Sequence, residues 1–150
     1  MRTSLLCMLI LLVVLCGCTA RITPYTVSDA QILLDADLFN GEMGPVDKNF
    51  VAQLYGIDED TILDCVCYVA ANTASSADEL TVFVLTGENG ARLAEEACQK
   101  RVENQIEASR NYTPAAAPRL ETAVIRRIGN TVLFAVGDPE RLPKAVDRLH

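Results

Sequence analysis

Three cysteines in the body of the chain, Cys65, Cys67 and Cys98, carry the side chains with the most obvious chemistry. Acyl transfer by a cysteine needs an imidazole beside the thiol, and the one histidine stands at position 150. A closed structural zinc site needs four ligands, whereas three thiols have no well-placed fourth. We therefore expect structural thiols that pack as small core residues, not nucleophiles or metal ligands.

The same three thiols leave two redox arrangements open. Cys65 and Cys67 lie two apart on a predicted strand, so their Cα atoms are roughly 6.6 to 6.8 Å apart, at the limit for a disulfide. A bridge from Cys98 to either one is geometrically easier. Because three is an odd number, they cannot all be paired, and we favour three reduced, buried thiols over one bridge.

Acidic residues provide the next candidates for chemistry. Asp58, Glu59, Asp60 and Asp64 are close in sequence, but the calcium-loop spacing with its central Gly and terminal Glu is absent. Carboxylates at the start of a helix interact favourably with its dipole. We expect a solvated turn here.

Two pairs of neighbouring carboxylates, Asp78 with Glu79 and Glu95 with Glu96, could be drawn as acid and base. Adjacent residues on a strand, however, point to opposite faces. We expect no catalytic, metal-binding or cofactor-binding residues, and therefore no cofactor.

The N-terminal segment predicts a different kind of chemistry at Cys18. An apolar run from Leu5 to Leu15 follows Arg2 and leads into Cys16-Gly17-Cys18, as in a secretory signal with a small-residue junction. Leu15 to Cys18 resembles the bacterial lipobox, in which the cysteine thiol receives a diacylglyceryl group. The resemblance implies cleavage between Gly17 and Cys18, acylation with chains such as palmitate, and a bacterial cell-membrane lipoprotein whose domain lies outside the cytoplasm.

Two alternatives to the lipobox are an ordinary secretory signal with incidental cysteines and an uncleaved signal anchor. The apolar run is much shorter than the roughly 20 residues that span a bilayer. Two or more lipid chains hold a protein stably on a membrane. We expect a signal peptide at 1–17, a lipidated cysteine and short tether at 18–27, and one globular domain at 28–150.

The charge of the chain argues against nucleic acid as a partner. The formal net charge is −7, and Arg2 is the only charged residue of the predicted signal, so cleavage would make it −8. An acidic domain is repelled by phosphate backbones and anionic headgroups. The expected partners are the membrane, through lipid on Cys18, and an unknown protein or small ligand.

Hydrophobic periodicity predicts the elements of the domain. The clearest helix runs from Ala91 to Asn111, with Ala94, Cys98, Val102 and Ile106 at a spacing of four. A first helix begins at a capping box formed by Ser28 and Gln31 and ends near Phe39. The other expected elements are a short helix or turn at 47–55, strands at 64–71, 80–85, 122–128 and 132–136, and a closing helix at 142–149.

These elements predict an α+β fold. Gly129-Asn130 has the composition of a type II′ hairpin turn, and the strands at 64–71 and 80–85 are apolar on both faces, which requires cover on both sides. We expect a four-stranded antiparallel sheet packed with helices, in the order helix, two strands, long helix, two strands, helix. Arg126 and Arg127 should mark an edge of the sheet, on opposite faces.

Several short segments together carry a family resemblance. Behind the lipobox, the pattern resembles a family of small bacterial lipoproteins that carry a domain of unknown function, and it covers most of residues 28–150. That resemblance implies no assigned activity and no catalytic residues. The segments are Leu54-Tyr55-Gly56-Ile57, Ser76-Ala77-Asp78-Glu79-Leu80, Arg101 with Gln105, Tyr112-Thr113-Pro114, and Gly129-Asn130.

The sequence favours a non-enzymatic, membrane-anchored domain that binds a protein or ligand outside the cytoplasm. An accessory solute-binding lipoprotein is the first alternative, and an enzyme of unrecognised type is the second. Tyr55 and Tyr112 are candidate ligand contacts, although tyrosines at element boundaries usually pack the ring and leave the hydroxyl in water. A polar pocket would favour solute binding, and an interface on the sheet would favour a protein partner.

Overall fold

A five-stranded antiparallel sheet forms the centre of the domain. The computed structural model describes residues 23–71 and 77–149, so the predicted signal peptide, Cys18 and the tether as far as residue 22 lie outside the described residues. The strand order is β1-β2-β3-β5-β4. The strands are β1 (Met43–Pro45), β2 (Ile62–Ala70), β3 (Glu79–Leu85), β4 (Val124–Ile128) and β5 (Thr131–Val136).

Helices cover both faces of this sheet. Phe83, Val132 and Phe134 pack with helices α2, α3 and α4 in a first hydrophobic cluster. Leu80, Val82 and Leu133 pack with α1 and α5 in a second. The helices are α1 (Val27–Asp35), α2 (Lys48–Tyr55), α3 (Gly87–Tyr112), α4 (Ala117–Glu121) and α5 (Arg141–Val146). The predicted α+β fold with cover on both sides is confirmed.

The sheet has one more strand than the sequence predicts. Met43-Gly44-Pro45, which the Gly and Pro content marks as a break, pairs antiparallel with the end of β2 from Tyr68 to Ala70. Proline is tolerated there because β1 is an edge strand and needs no full set of ladder hydrogen bonds. Long-range pairing overrides the local turn preference.

The first helix differs from its prediction at both ends. It begins at Val27 after Thr26, whose backbone N–H donates to Asp29 Oδ2 at 2.6 Å. The capping box therefore uses Thr26 and Asp29 instead of Ser28 and Gln31. The helix ends at Asp35, and Asp37 adopts a positive φ of 53° that stops any continuation.

The long helix α3 places its apolar stripe on the sheet as predicted. Ala94 and Cys98 are fully buried, and Val102 and Ile106 are partly buried against the first cluster. The helix starts at Gly87, four residues earlier than predicted. The short helix α4 was missed, because its Ala- and Pro-rich sequence favours a loop.

The turn between β4 and β5 lies beside the first described residues of the chain. Gly129 has a φ of 57° and Asn130 does not share that left-handed geometry, as a type II′ turn requires. Arg126 and Arg127 lie on the edge strand β4 and approach Asp147 and Glu95, on opposite faces. Near this turn, the backbone N–H of Tyr25 donates to Thr131 Oγ1 at 3.0 Å.

None of the helices in the described residues is long and apolar enough to cross a membrane.

Candidate ligand-binding cavity

A cavity of about 730 Å³ lies on the first-cluster face at one end of the sheet. It is enclosed by α2, the C-terminal half of α3, the segment from Thr113 to Leu120, the end of β2 and the beginning of β3. Most of its surface is apolar. The lining residues are Val46, Phe50, Gln53, Leu54, Val69, Ala70, Ala77, Asp78, Glu79, Arg101, Gln105, Ala108, Ser109, Tyr112, Thr113, Ala116 and Leu120.

Three exposed apolar side chains are among the residues that line the cavity. Phe50 is 61% exposed, Leu54 38% and Tyr112 86%, although each lines the cavity. The amphipathic helix α2 buries Val51 and Tyr55 on its other side, so Phe50 and Leu54 are left beside the opening. Contiguous exposed apolar groups are typical of sites that bind a partner or ligand.

The floor contains a buried ion pair between Glu79 and Arg101. Arg101 Nε donates to Oε1 and Oε2 of Glu79 at 2.8 and 2.9 Å, and Nη2 donates to Oε2 at 2.7 Å. The side chain of Glu79 is 1% exposed. Burial tends to lower the pKa of Arg101, but the hydrogen bonds and the negative charge of Glu79 raise it overall.

Tyr55 completes this cluster from α2. Its hydroxyl donates to Glu79 Oε1 and is hydrogen-bonded to Thr81 Oγ1 at 2.8 Å. Its ring packs edge-on against Phe83 with centroids 5.1 Å apart, and the Arg101 guanidinium lies 5.3 Å from the ring centroid. Burial and the neighbouring Glu79 charge raise the pKa of Tyr55 well above its usual value. The expectation that its hydroxyl meets water is wrong.

Gln105, one turn beyond Arg101 on α3, leaves an acceptor unsatisfied. Its Nε2 donates to Glu79 Oε2 at 3.4 Å. Its Oε1 is buried and has no hydrogen-bond partner among the described residues. Since a carboxylate only accepts, the end of the amide that faces Glu79 is Nε2 and not Oε1.

Asp78 forms a second buried ion pair at the edge of the floor. Arg119 Nε donates to Oδ1 and Nη2 to Oδ2, both at 2.6 Å. The backbone N–H of Asn40 also donates to Oδ2, at 2.5 Å. Each of the two adjacent acids at the beginning of β3 therefore has its own arginine, one from α3 and one from α4.

This arrangement suits binding better than proton transfer. Glu79 already accepts from Arg101 and Tyr55, so it is not an available general base. The two ion pairs leave the floor with balanced charge beneath an apolar wall. A second groove of about 480 Å³ lies on the other side of Arg101 and Gln105, between the end of α2 and the exposed side of α3.

A family model described as a domain of unknown function, DUF4358, matches residues 36–137. The chain belongs to this family. The predicted family resemblance is confirmed in this respect, and the match includes every residue that lines the cavity. No curated protein and no solved structure matches the chain.

Four residues on which the resemblance to the DUF4358 family rests meet at the cavity floor. Glu79, Arg101 and Gln105 line the cavity, and Tyr55 contacts Glu79 from beneath the lining. Asp78 and Glu79 pair with different arginines, Asp78 with Arg119 and Glu79 with Arg101. The two ion pairs were not predicted, although two adjacent acids at the start of a strand that is apolar on both faces are a signal that each needs a buried cation.

The three thiols are not among the residues that line the cavity. Cys67 and Cys98 are buried in the first cluster, Cys65 is only half-buried, and all three are free. Burial raises the pKa of Cys67 to about 12, and it raises the pKa values of Cys98 and Cys65 as well. Cys65 is more accessible than we expected.

The remaining candidate residues have local roles. Asp58 Oδ1 accepts from the backbone N–H of Asp60 at 3.1 Å, so Asp58, Glu59 and Asp60 form the expected turn, whereas Asp64 lies on β2. Within residues 23–71 and 77–149, no group of three His, Cys, Asp or Glu side chains could hold a metal ion. Gly17 and Cys18 lie outside the described residues.

Proposed function

We propose that this chain is a non-enzymatic, lipid-anchored domain that binds a small, predominantly apolar ligand outside the cytoplasm. The observation that carries the proposal is the cavity of about 730 Å³ with apolar walls and a charge-balanced floor. Ligand sites in proteins are typically clefts of about 300–1,000 Å³ with apolar walls and a few polar groups. The cavity has both properties.

The faces of the sheet support ligand binding more than docking of a protein on the sheet. Helices cover both faces, so neither face offers a broad surface to a partner. The strongest candidate site is instead the opening beside Phe50 and Tyr112.

Anchoring rests on the N-terminal sequence. Leu15 to Cys18 has the lipobox pattern, and lipid on Cys18 would hold the domain on the outer side of the bacterial cell membrane. The net charge of −7 disfavours nucleic acid as a ligand.

The proposal of a non-enzymatic role rests on the floor of the cavity. Its ionisable groups are engaged with one another, Glu79 with Arg101 and Asp78 with Arg119. The only histidine of the chain, His150, is far away in sequence from both pairs. Binding without chemistry is therefore the simplest use of the cavity.

Photocrosslinking in intact cells tests the proposal. Phe50 at the cavity mouth is replaced by benzoylphenylalanine, and the matched control carries the same group at Leu93, an exposed residue of α3 that does not line the cavity. After irradiation, mass spectrometry of the peptide that contains position 50 should show an adduct of small-molecule mass. No such adduct should form at position 93, and equal labelling at the two positions would contradict a ligand in the cavity.

Docking of a protein partner on exposed apolar side chains of the cavity is the second candidate, because Phe50, Leu54 and Tyr112 are exposed together. The same experiment distinguishes the two functions. A crosslinked protein at position 50, without a small adduct, would favour the partner.

A further inference from the structure

The cavity floor has no free charge for an ionic ligand. Glu79 is held by Arg101 and Asp78 by Arg119, so each charged group is already neutralised by hydrogen-bonded contact. A ligand carboxylate would approach two buried carboxylates. A ligand ammonium would compete with two arginines for those same carboxylates. Either ion would also lose its hydration in an apolar cavity.

The floor does offer one unused hydrogen-bond acceptor, Gln105 Oε1. This buried oxygen has no donor among the described residues, which is unfavourable unless a ligand or water supplies one. The long contact of 3.4 Å from Nε2 to Glu79 restrains the amide weakly, and the terminal torsion of glutamine is soft. A small rotation can therefore present Oε1 to a donor in the cavity.

We propose that the cavity takes an uncharged, predominantly apolar molecule that carries one hydrogen-bond donor, a hydroxyl or an amide N–H, which binds Gln105 Oε1. This inference rests on the proposed function and names the ligand class for the same site. Such a molecule satisfies the buried acceptor, leaves both ion pairs intact and fills the apolar walls.

Three probes that share a ten-carbon chain separate the possible ligand classes. 1-Decanol is uncharged and has a hydrogen-bond donor. Decyl methyl ether is uncharged and has no donor, and decanoate is an anion. Each is titrated into the ¹⁵N-labelled processed chain from residue 18 with Cys18→Ser, while amide resonances of Gln105 and Ala108 are followed. Both described hydrophobic clusters draw only on residues between Tyr25 and Leu149, so this chain contains the whole described core.

The variant Gln105→Met removes the acceptor and keeps the length of the side chain. It should weaken binding of 1-decanol roughly three- to tenfold, as expected for loss of one hydrogen bond, and leave the ether unaffected. Gln99→Met, on the exposed side of the same helix, is the matched control and should change neither affinity. Thermal melting of both variants reports on folding separately.

The outcomes are distinguishable. Tighter binding of 1-decanol than of decanoate, with the Gln105-dependent difference between alcohol and ether, supports the inference. Decanoate binding as tightly as 1-decanol, or a loss equal for alcohol and ether, overturns the ligand class and leaves the cavity function standing. Failure of all three probes to shift these resonances counts against both proposals.

A neutral amphiphile could reach the cavity from solution or from the bilayer. 1-Decanol is therefore also offered preloaded in phosphatidylglycerol vesicles. If the Gln105 and Ala108 resonances shift equally with and without vesicles at the same free concentration of 1-decanol, the ligand is taken up from solution. Larger shifts with vesicles indicate transfer from the bilayer. Both results support the class of ligand, and shifts at other residues only would contradict the site.

Discussion

Arg101 binds both carboxylate oxygens of Glu79 in a place where the Glu79 side chain is almost completely removed from solvent. The pair connects the long helix α3 to the beginning of the central strand β3. Because a buried carboxylate without a partner is strongly unfavourable, the position of α3 on the sheet and the floor of the cavity depend on the same contact.

Arg101→Met should therefore destabilise the domain severely. It leaves the buried Glu79 carboxylate without a cation, which lowers the unfolding free energy by about 3–5 kcal/mol. Arg92→Met is the matched control on the same helix, because the Arg92–Glu96 pair is exposed and should contribute less than about 1 kcal/mol. Urea unfolding measures the free energy of unfolding of both variants. Similar decreases for the two would show that the buried ion pair stabilises the domain no more than the exposed one.

The packed face of α3 is tested by two neighbouring substitutions. Ala94 is fully buried, whereas Leu93 is 45% exposed. Ala94→Asp should lower the unfolding free energy by roughly 2–5 kcal/mol, because it buries a charge in the first cluster. Leu93→Asp should change it by much less. If the two variants melted at the same temperature, the orientation of the helix would be wrong.

The three thiols should differ in their reactivity with iodoacetamide. Cys65 is half-buried, whereas Cys67 and Cys98 are buried and have raised pKa values. The thiolate fraction of Cys67 and Cys98 is therefore small, and the reagent reaches these two side chains poorly. In the native, unreduced processed chain, Cys65 should be alkylated first. Peptide mass spectrometry over time measures the order. Rapid alkylation of Cys98 would contradict its burial and reopen a thiol-dependent activity.

Stability should fall in alkaline solution. The pKa values of Cys67, Cys98 and Tyr55 are raised in the folded domain, so these groups stay protonated there after their counterparts in the unfolded chain ionise. The unfolded state then binds fewer protons, and unfolding free energy decreases above about pH 8.5, by at most about 1.4 kcal/mol per pH unit for each group. Below that pH these groups should cause no change.

Cys98→Ala isolates one contribution to this pH dependence. Urea unfolding of the parent and the variant between about pH 8 and pH 10 should give a shallower decline for the variant, because one buried thiol is gone. Parallel declines would contradict a raised pKa at Cys98.

The lipid anchor is tested by Cys18→Ala in cells supplied with an alkyne-labelled fatty acid. The parent should incorporate the label and sediment with membranes, because Cys18 is the proposed lipidated thiol. The variant should lose the label. Cys16→Ala, two residues earlier, is the matched control and should keep it; label retained by Cys18→Ala would refute the lipoprotein proposal.

Much of the fold could be read from local sequence patterns. The apolar stripe that includes Ala94 and Cys98 predicted α3, and the two-sided apolar character of β2 and β3 predicted cover on both faces. Elements set by long-range contacts were missed. Met43-Gly44-Pro45 becomes a strand only because β2 offers a free edge.

The candidate site could be predicted less well than the fold. Glu79 and Arg101 are 22 residues apart, and nothing local to either residue indicates the other. Their pairing follows from the packing of α3 on β3, which also decides which side chains surround the cavity. Tyr55 and Gln105 belong to the segments that carry the family resemblance, but the resemblance implied no site, and only the packing shows what these residues contact.

The contact of Tyr25 with Thr131 shows at which end of the sheet the chain enters the domain. Thr131 pairs with Val84 at the far end of β3, five residues from Glu79 on the cavity floor, or roughly 17 Å along the strand. The tether enters at that far end, on the face covered by α1. If Cys18 carries lipid, the short tether holds the turn end of the domain near the bilayer and leaves the mouth beside Tyr112 facing outward. A protein built this way would sample the envelope or the surroundings of the cell in preference to the membrane beneath it.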